Sequence, residues 1–275
     1  MKKITILLAL LLSVLYFRSF IWLTNAWLAD PYYSYGFLVL IIAGFIAWIN
    51  IRNYNKEDEF ESEPEPFKHG FFVFAFGLLL YTAGFIKIFP FLLAVSFLFT
   101  LSGLILYFYG KPLMRSLLFP VSFLIFAIPL PFVFLEKIAS FLQLLSASYS
   151  ASIIELLGIA VTRRGAEIYL QNAAFTIGAP CSGMNTLISL LALATIFIYI
   201  LKCPLYKKAM LLCAAIPIAI FANILRVTSI LLVANHYGAE AAMKFFHNFS
   251  SPLLFIGAFM FLILISIIIG CKLKI

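Results

Sequence analysis

Long uncharged runs alternate along the chain with short polar interruptions, and these runs are its primary structural signal. A helix needs about 20 mostly apolar residues to cross the hydrocarbon core of a bilayer, because each unpaired backbone amide in lipid costs several kcal/mol. By that test spans fall near 4–23, 36–51, 70–90, 92–109, 116–135, 184–201, 209–234 and 252–270. The pattern predicts an all-α polytopic membrane protein with about eight transmembrane helices. A single membrane domain over 1–275 follows as the simplest organisation.

Two interruptions are longer than the rest. Arg52 to His69 carries Glu57, Asp58, Glu59, Glu61, Glu63 and Glu65 with Pro64 and Pro66, which predicts an acidic, solvated cytoplasmic loop over 52–69. Lys137 to Ile159 is apolar but rich in Ser and interrupted by Gln143 and Glu155, which predicts an interfacial or re-entrant helix. Beyond it, Ala166–Leu170 and Ala174–Ile177 flank Gln171-Asn172 and predict a small hairpin or extended segment. Together these make an outer loop over 137–180, just ahead of the helix that bears Cys181.

Composition excludes a water-soluble globule: the chain is 64% hydrophobic and 11% charged, where a soluble domain is roughly half apolar and a quarter charged. The formal net charge of +8 is scattered among loops and not gathered on one segment, so it argues against nucleic acid as a partner. Those charges report topology. Met1–Lys3 followed by the apolar run Ile4–Phe17 resembles a signal peptide without a small-residue cleavage site, and reads as a retained first span.

With the N-terminus inside, the cytoplasmic side holds Lys2, Lys3, Arg52, Lys56, Lys68, Lys111, Arg115, Lys202, Lys207, Lys208, Lys272 and Lys274. The outer side holds Lys87, Lys137, Arg163, Arg164 and Lys244, while Arg18 and Arg226 fall inside spans. Twelve against five satisfies the positive-inside rule and puts both termini in the cytoplasm. Cys203 and Cys271 then fall in cytoplasmic stretches and Cys213 near the inner end of the seventh span, so none easily reaches Cys181. No Cys-x-x-Cys pair is present, and neither a metal nor a cofactor is expected.

Candidate chemistry gathers at the outer face. Ala179-Pro180-Cys181-Ser182-Gly183-Met184-Asn185 punctuates the chain just before an apolar helix, where the helix dipole and orphan amides favour a thiolate. Alone, Cys181 reads more readily as a small buried hydrophobe, the commoner fate of a free Cys in a membrane protein. Arg226 lies in the outer half of the seventh span, where a guanidinium costs on the order of 3 kcal/mol, so pairing or function is its default reading, with snorkelling to headgroups as the bland one. Asn223 lies on the same helical face, one turn earlier. His247 precedes the last span and His236 ends the seventh. Local context favours His247 as the imidazole that could serve a thiol as base and a leaving amine as acid. Arg163 and Arg164 read as a solvated turn, or as cations for an acidic motif or lipid phosphate. A thiol, an imidazole and a guanidinium from three consecutive spans form a nucleophile, a base and an oxyanion stabiliser.

At these residues the chain resembles the exosortase and archaeosortase family of polytopic membrane transpeptidases. The resemblance rests on Cys181-Ser182-Gly183 opening a span, Asn223-x-x-Arg226 in the next and His247 before the last, with a weaker echo in Asp30-Pro31-Tyr32-Tyr33-Ser34-Tyr35-Gly36-Phe37-Leu38. Tyr35 stands where the family often has His. Gly178, Ala179 and Pro180 replace a common acidic residue, and Ser250-Ser251-Pro252 replaces a Gly often seen after the His, which marks a divergent branch. The resemblance implies catalysis by Cys181, Arg226 and His247, supported by Asn223 and Ser182. It implies substrates that are secreted proteins ending in a short motif, a transmembrane helix and a basic tail. Cleavage would pass through a thioester at Cys181 on the outer face of the cytoplasmic membrane, with transfer to an acceptor. The competing reading is a non-catalytic transporter or a protein handling lipid or polysaccharide, with Arg226 on an anionic headgroup.

Overall fold

The protein was examined as a computed structural model that describes residues 2–30, 32–57, 67–170, 174–178, 182–245 and 251–273. Helix dominates them, because in a chain this apolar only internally satisfied backbone is tolerated. The chain divides into two units, Met1–Pro131 and Phe132–Ile275.

The first unit begins with α1 (Lys2–Leu15) and α2 (Phe17–Ala29), bent by 65° where they meet. The single span expected over 4–23 is therefore a broken one. Its break is held from the inside: Tyr16 is fully buried, and its hydroxyl lies 3.0 Å from Ser96 Oγ and 2.8 Å from Thr100 Oγ1. Next come α3 (Gly36–Glu57), α4 (Gly70–Ile86) and α5 (Pro90–Phe123), the last running into a 3₁₀ turn, Leu124–Ala127. The expected acidic loop over 52–69 starts later than its composition suggested, since α3 continues to Glu57; residues 58–66 lie outside the described set.

Helix α5 is two helices in one. Gly110 has φ 81° and ψ −176°, a conformation open to glycine and outside the helical region. Ala94 and Ala127 line the same cavity of about 360 Å³, whereas 33 residues of unbroken helix would hold them about 50 Å apart. The chain therefore turns back at Gly110, between the spans expected over 92–109 and 116–135. The fifth of these ends early because Pro129 and Pro131 stop the helix, and the residues from Phe132 belong to the next one.

Glycines seven apart seat α4 on α5. Gly70, Gly77 and Gly84 are all buried, and a Cβ on Gly77 would stand 2.6 Å from the backbone nitrogen of Thr100. A Cβ on Gly103 would stand 2.3 Å from the backbone nitrogen of Phe74. Small residues permit such backbone contact where lipid supplies no hydrophobic drive for helices to associate.

The second unit holds α6 (Phe132–Leu156), the strands β1 (Val161–Arg164), β2 (Glu167–Leu170) and β3 (Ala174–Thr176), then α7 (Met184–Ile200), α8 (Leu205–Phe245) and α9 (Ser251–Ile268). Two-residue strands β4 (Leu201–Lys202) and β5 (Lys272–Leu273) pair antiparallel below α7 and α9, next to a Cys203–Cys271 disulfide. The interfacial or re-entrant helix expected over 137–159 falls largely within helix α6. It is one 25-residue helix, and the serines that weakened its reading as a plain helix are turned inward, Ser146 and Ser150 being buried. The three strands form one antiparallel sheet in the order β1-β2-β3, with Arg163 opposite Ile168 and Ile168 opposite Phe175. The hairpin expected around Gln171-Asn172 is its β2–β3 pair, and β1 is an addition.

Two apolar clusters organise this unit. One joins Leu190, Ala194 and Phe197 of α7 to Leu211–Ala222 of α8 and Ala258 and Leu262 of α9. The other joins Ala147 and Ile154 of α6, Ile168 and Leu170 of the sheet, and Val227–Ala234 of α8. Helix α8 breaks at Gly238, where φ is 82°. Among the described residues three helical stretches are long and apolar enough to cross a membrane, Gly36–Tyr54, Pro90–Ala127 and Leu205–Gly238, and a fourth if the bent α1–α2 pair counts as one. Gly70–Ile86, Met184–Ile200 and Pro252–Ile268 are shorter apolar helices.

The glycine seat makes a direct prediction. Gly77→Val forces α4 off α5 and destabilises the protein by about 1–3 kcal/mol, whereas Gly44→Ala, with open space around its Cβ, leaves stability unchanged. Thermal melting of the detergent-solubilised proteins checks both, and equal melting of the two variants would refute the seat.

Candidate active site

The elements that carry the candidate residues meet at the gap between the two apolar clusters of the second unit. On α8 the first cluster ends at Ala222 and the second begins at Val227. Asn223 and Arg226 occupy the residues between, 2% and 5% exposed. Their spacing of three places both on one side of the helix. An arginine so deep in an apolar helix is a group retained for pairing or function.

The Cys-Ser-Gly segment reaches this gap through its glycine. Gly183 has φ 83°, and a Cβ built on it would lie 2.6 Å from Asn223 Cγ and 2.8 Å from Asn223 Nδ2. Two independent constraints thus demand glycine here: left-handed backbone and a side chain packed flat against its Cα. Leu187 N–H donates to the Gly183 carbonyl at 2.9 Å, which starts α7, and Met184 N–H donates to Ser182 Oγ at 3.2 Å. Ser182 is 1% exposed. The first amides of α7 are therefore partly satisfied by the residue that follows Cys181 in the chain, and the remainder form a donor set at a helix N-terminus.

Asn223 fixes a third element as well. Its Nδ2 donates to Ser146 Oγ on α6 at 2.8 Å, and Ser150 Oγ one turn further donates to the Ile224 carbonyl at 3.1 Å. Nothing in the sequence reading singled out Ser146 or Ser150. Their spacing of four within a Ser-rich helix was the available signal, since polar groups four apart share a face. Asn185, in the first turn of α7, holds a buried side-chain oxygen that no hydrogen bond satisfies.

The structure thus brings Ser182, Gly183, Asn223 and Arg226 to one region of the second unit. Cys181 and His247 lie outside the described residues. His236 does not join the group: it is exposed on α8, ten residues or about 15 Å of helix beyond Arg226. Arg163 donates to the Gly165 carbonyl at 2.8 Å, closing the β1–β2 turn, in line with its reading as a solvated turn. The early Asp30–Gly36 stretch belongs to the first unit, where the Tyr33 hydroxyl accepts from Leu130 N–H at 2.9 Å. The Tyr35 hydroxyl is buried without a partner, and burial pushes its pKa up, so it stays a neutral donor. Among the described residues no cluster of His, Cys, Asp and Glu could hold a metal ion.

The sequence model of the transmembrane exosortase family matches residues 27–264, from α2 to α9. This chain is a member of the transmembrane exosortase family. No curated protein and no solved structure matches it. The family comprises membrane cysteine transpeptidases that act on secreted proteins with C-terminal sorting signals. The matched range takes in the elements that carry Gly183, Asn223 and Arg226.

The seat of Gly183 on Asn223 is testable. Gly183→Ala adds a Cβ where Asn223 already lies and strains the positive φ, while Ser146→Ala only removes the acceptor for Asn223 Nδ2. The serine variant costs about 1–3 kcal/mol of stability, and the glycine variant costs more. Melting of both in detergent gives the order, and a Gly183→Ala protein as stable as wild type would show that the close seat does not exist.

Proposed function

We propose that this exosortase cleaves C-terminal sorting signals at the outer membrane face through a thioester on Cys181 and passes the secreted protein to an acceptor. The observation that carries this reading is the contact of Gly183 with Asn223, which ties the segment containing the thiol to the helix turn that carries the buried Arg226. Cys181 is two residues before Gly183 in the chain.

In the proposed cycle His247 takes the proton of the Cys181 thiol, and the thiolate sulfur attacks the scissile carbonyl carbon. The carbonyl π electrons move onto oxygen, and the Arg226 guanidinium holds the resulting oxyanion. When the tetrahedral centre collapses, the C–N bond breaks and His247 returns its proton to the leaving amine. The apolar helix and basic tail then depart, and the thioester remains on Cys181. An acceptor nucleophile attacks that thioester, and the thiol is regenerated. Asn223 is a positioning residue, held by Ser146 and pressed by Gly183 so that α8 presents Arg226 to the head of α7.

The proposed topology counts the bent α1–α2 pair once and the two sides of Gly110 separately. With α3, α4, α7, α8 and α9 this gives about eight crossings, while α6 packs along α8 in addition. The lysine-rich ends, including Lys202, Lys207 and Lys272 beside the Cys203–Cys271 pair, face the cytoplasm of a plasma membrane, and the head of α7 faces outward.

Two experiments follow. A secreted reporter ending in a family-type sorting signal is co-expressed with the protein, and release of its tail is followed by gel shift. Cys181→Ala abolishes release, and Arg226→Ala and His247→Ala lower it by about 10²–10³-fold, with all three proteins abundant in the membrane. Release by Cys181→Ala at the wild-type rate would overturn the mechanism. For topology, intact cells are reduced and treated with a membrane-impermeant maleimide, which leaves Cys203 and Cys271 unmodified until the cells are opened. Their labelling in intact cells would invert the proposed orientation.

A further inference from the structure

The three-stranded sheet of the second unit has two free edges, and they are not alike. Among the described residues β1 and β3 each pair with β2 alone. Charge is a usual guard on a free edge, because an unpaired row of N–H and C=O groups invites another strand. The β1 edge carries such a guard in Arg163 and Arg164, both exposed, with the Arg163 guanidinium folded onto the Gly165 carbonyl. Strand β3, Ala174-Phe175-Thr176, has no charge, and Ala174 and Thr176 are exposed.

The ladder decides which backbone groups of β3 are open. Ile177 N–H donates to the Ala166 carbonyl at 2.9 Å, one position beyond the Glu167–Thr176 pair. Bonded and non-bonded pairs alternate in an antiparallel ladder, so Phe175 bonds Ile168, while Ala174 and Thr176 turn their N–H and C=O away from β2. The Thr176 carbonyl is taken by Gly178 N–H at 2.8 Å. Among the described residues this leaves Ala174 N–H, Ala174 C=O and Thr176 N–H open. Extended backbone is the partner whose own donors and acceptors repeat at that spacing.

The same edge lies close to the candidate chemistry. Cys181 follows Thr176 by five residues, at most about 18 Å of chain. Ile177 is buried in the apolar cluster that takes in Val227, the residue after Arg226. The sheet that ends in β3 is therefore anchored to the stretch of α8 just past the guanidinium.

We infer that the recognition segment of the secreted protein adds to β3 as a fourth strand, beside the chain that leads to Cys181. The inference rests on the transpeptidase reading given above and adds to it where, and in what conformation, the substrate is held. Main-chain bonds fix the register of such a segment with little demand on its side chains. Binding ahead of the scissile bond is thereby converted into placement of its carbonyl.

The test removes one open donor. Thr176→Pro deletes an outward N–H and keeps the ladder to β2, a change that an edge strand accepts, and Phe175 before it is already extended. Arg163→Pro makes the same deletion on the β1 edge, since the non-bonded pair Arg163–Ile168 turns that N–H away from β2 as well. Tail release from the reporter falls about tenfold in Thr176→Pro and is unchanged in Arg163→Pro, with both proteins at wild-type abundance. In parallel, a photo-crosslinking phenylalanine analogue in place of Ala174 captures the reporter in cells through the residues just ahead of its apolar helix. Wild-type release by Thr176→Pro overturns the added strand. So does capture at residue 174 of only lipid, only the reporter's helix or only a second copy of this chain. If Thr176→Pro fails to accumulate, capture alone decides, because that protein keeps Thr176. Failure of the transpeptidase reading is distinct: the unaltered protein then releases no tail, whether or not residue 174 captures the reporter.

Discussion

The second unit depends on the absence of one carbon atom. Gly183 lies so close to Asn223 that no side chain fits between them, and the contact brings the head of α7 onto the middle of α8. Asn223 in turn reaches Ser146, so α6, α7 and α8 are referred to a single amide. Apolar packing cannot do this by itself, because lipid is as good a solvent for Leu and Phe as another helix is. Close backbone approach and a few buried hydrogen bonds set the register, and the apolar clusters on either side fill in around it.

The first unit uses the same two devices for another purpose. Tyr16 bridges to Ser96 and Thr100, Trp27 donates to the Ala127 carbonyl at 2.7 Å, and Asn50 Nδ2 donates to the Ser116 carbonyl at 2.7 Å. Each bond joins residues far apart in sequence and satisfies a polar group that would otherwise be costly in hydrocarbon. Backbone contact between α4 and α5 through Gly77 and Gly103 completes the scheme. These polar groups are paired and read as structural, whereas the polar residues of α8 are gathered where two apolar clusters part.

The sequence made the helices easy to find, because twenty apolar residues in a row have few other uses. Spans expected over 70–90, 184–201 and 252–270 coincide closely with α4, α7 and α9. What it concealed were decisions taken by single residues. Tyr16 breaks the first span without interrupting its apolar run, so hydropathy passes over it, whereas the turn at Gly110 was legible from Lys111 and Arg115, which part the spans expected over 92–109 and 116–135. Helix α6 hid its inner face for a different reason. Its serines lower hydropathy as loop serines do, and only contact with Asn223 and Ile224 distinguishes a polar inner face from a solvated one. Arg226 and Asn223 were legible because a charge and an amide three residues apart in an apolar span have few bland explanations. Ser146 was not, because its importance lies in a partner 77 residues away.

The position of Arg226 between two packed clusters bears on the role proposed for it. A guanidinium that must meet an oxyanion gains from being held before the substrate arrives, since ordering it during the reaction would add to the barrier. Val227, Ile230 and Leu231 pin α8 beyond it against the sheet and α6, and Ile218, Ala219 and Ala222 pin α8 before it against α7 and α9. The backbone that carries Arg226 is thus clamped on both sides, and its neighbour Asn223 is clamped by Ser146. Desolvation, which makes the placement expensive, also strengthens the field the guanidinium exerts. On the proposed mechanism, the cost of burying the charge and its use at the oxyanion are one property of the site.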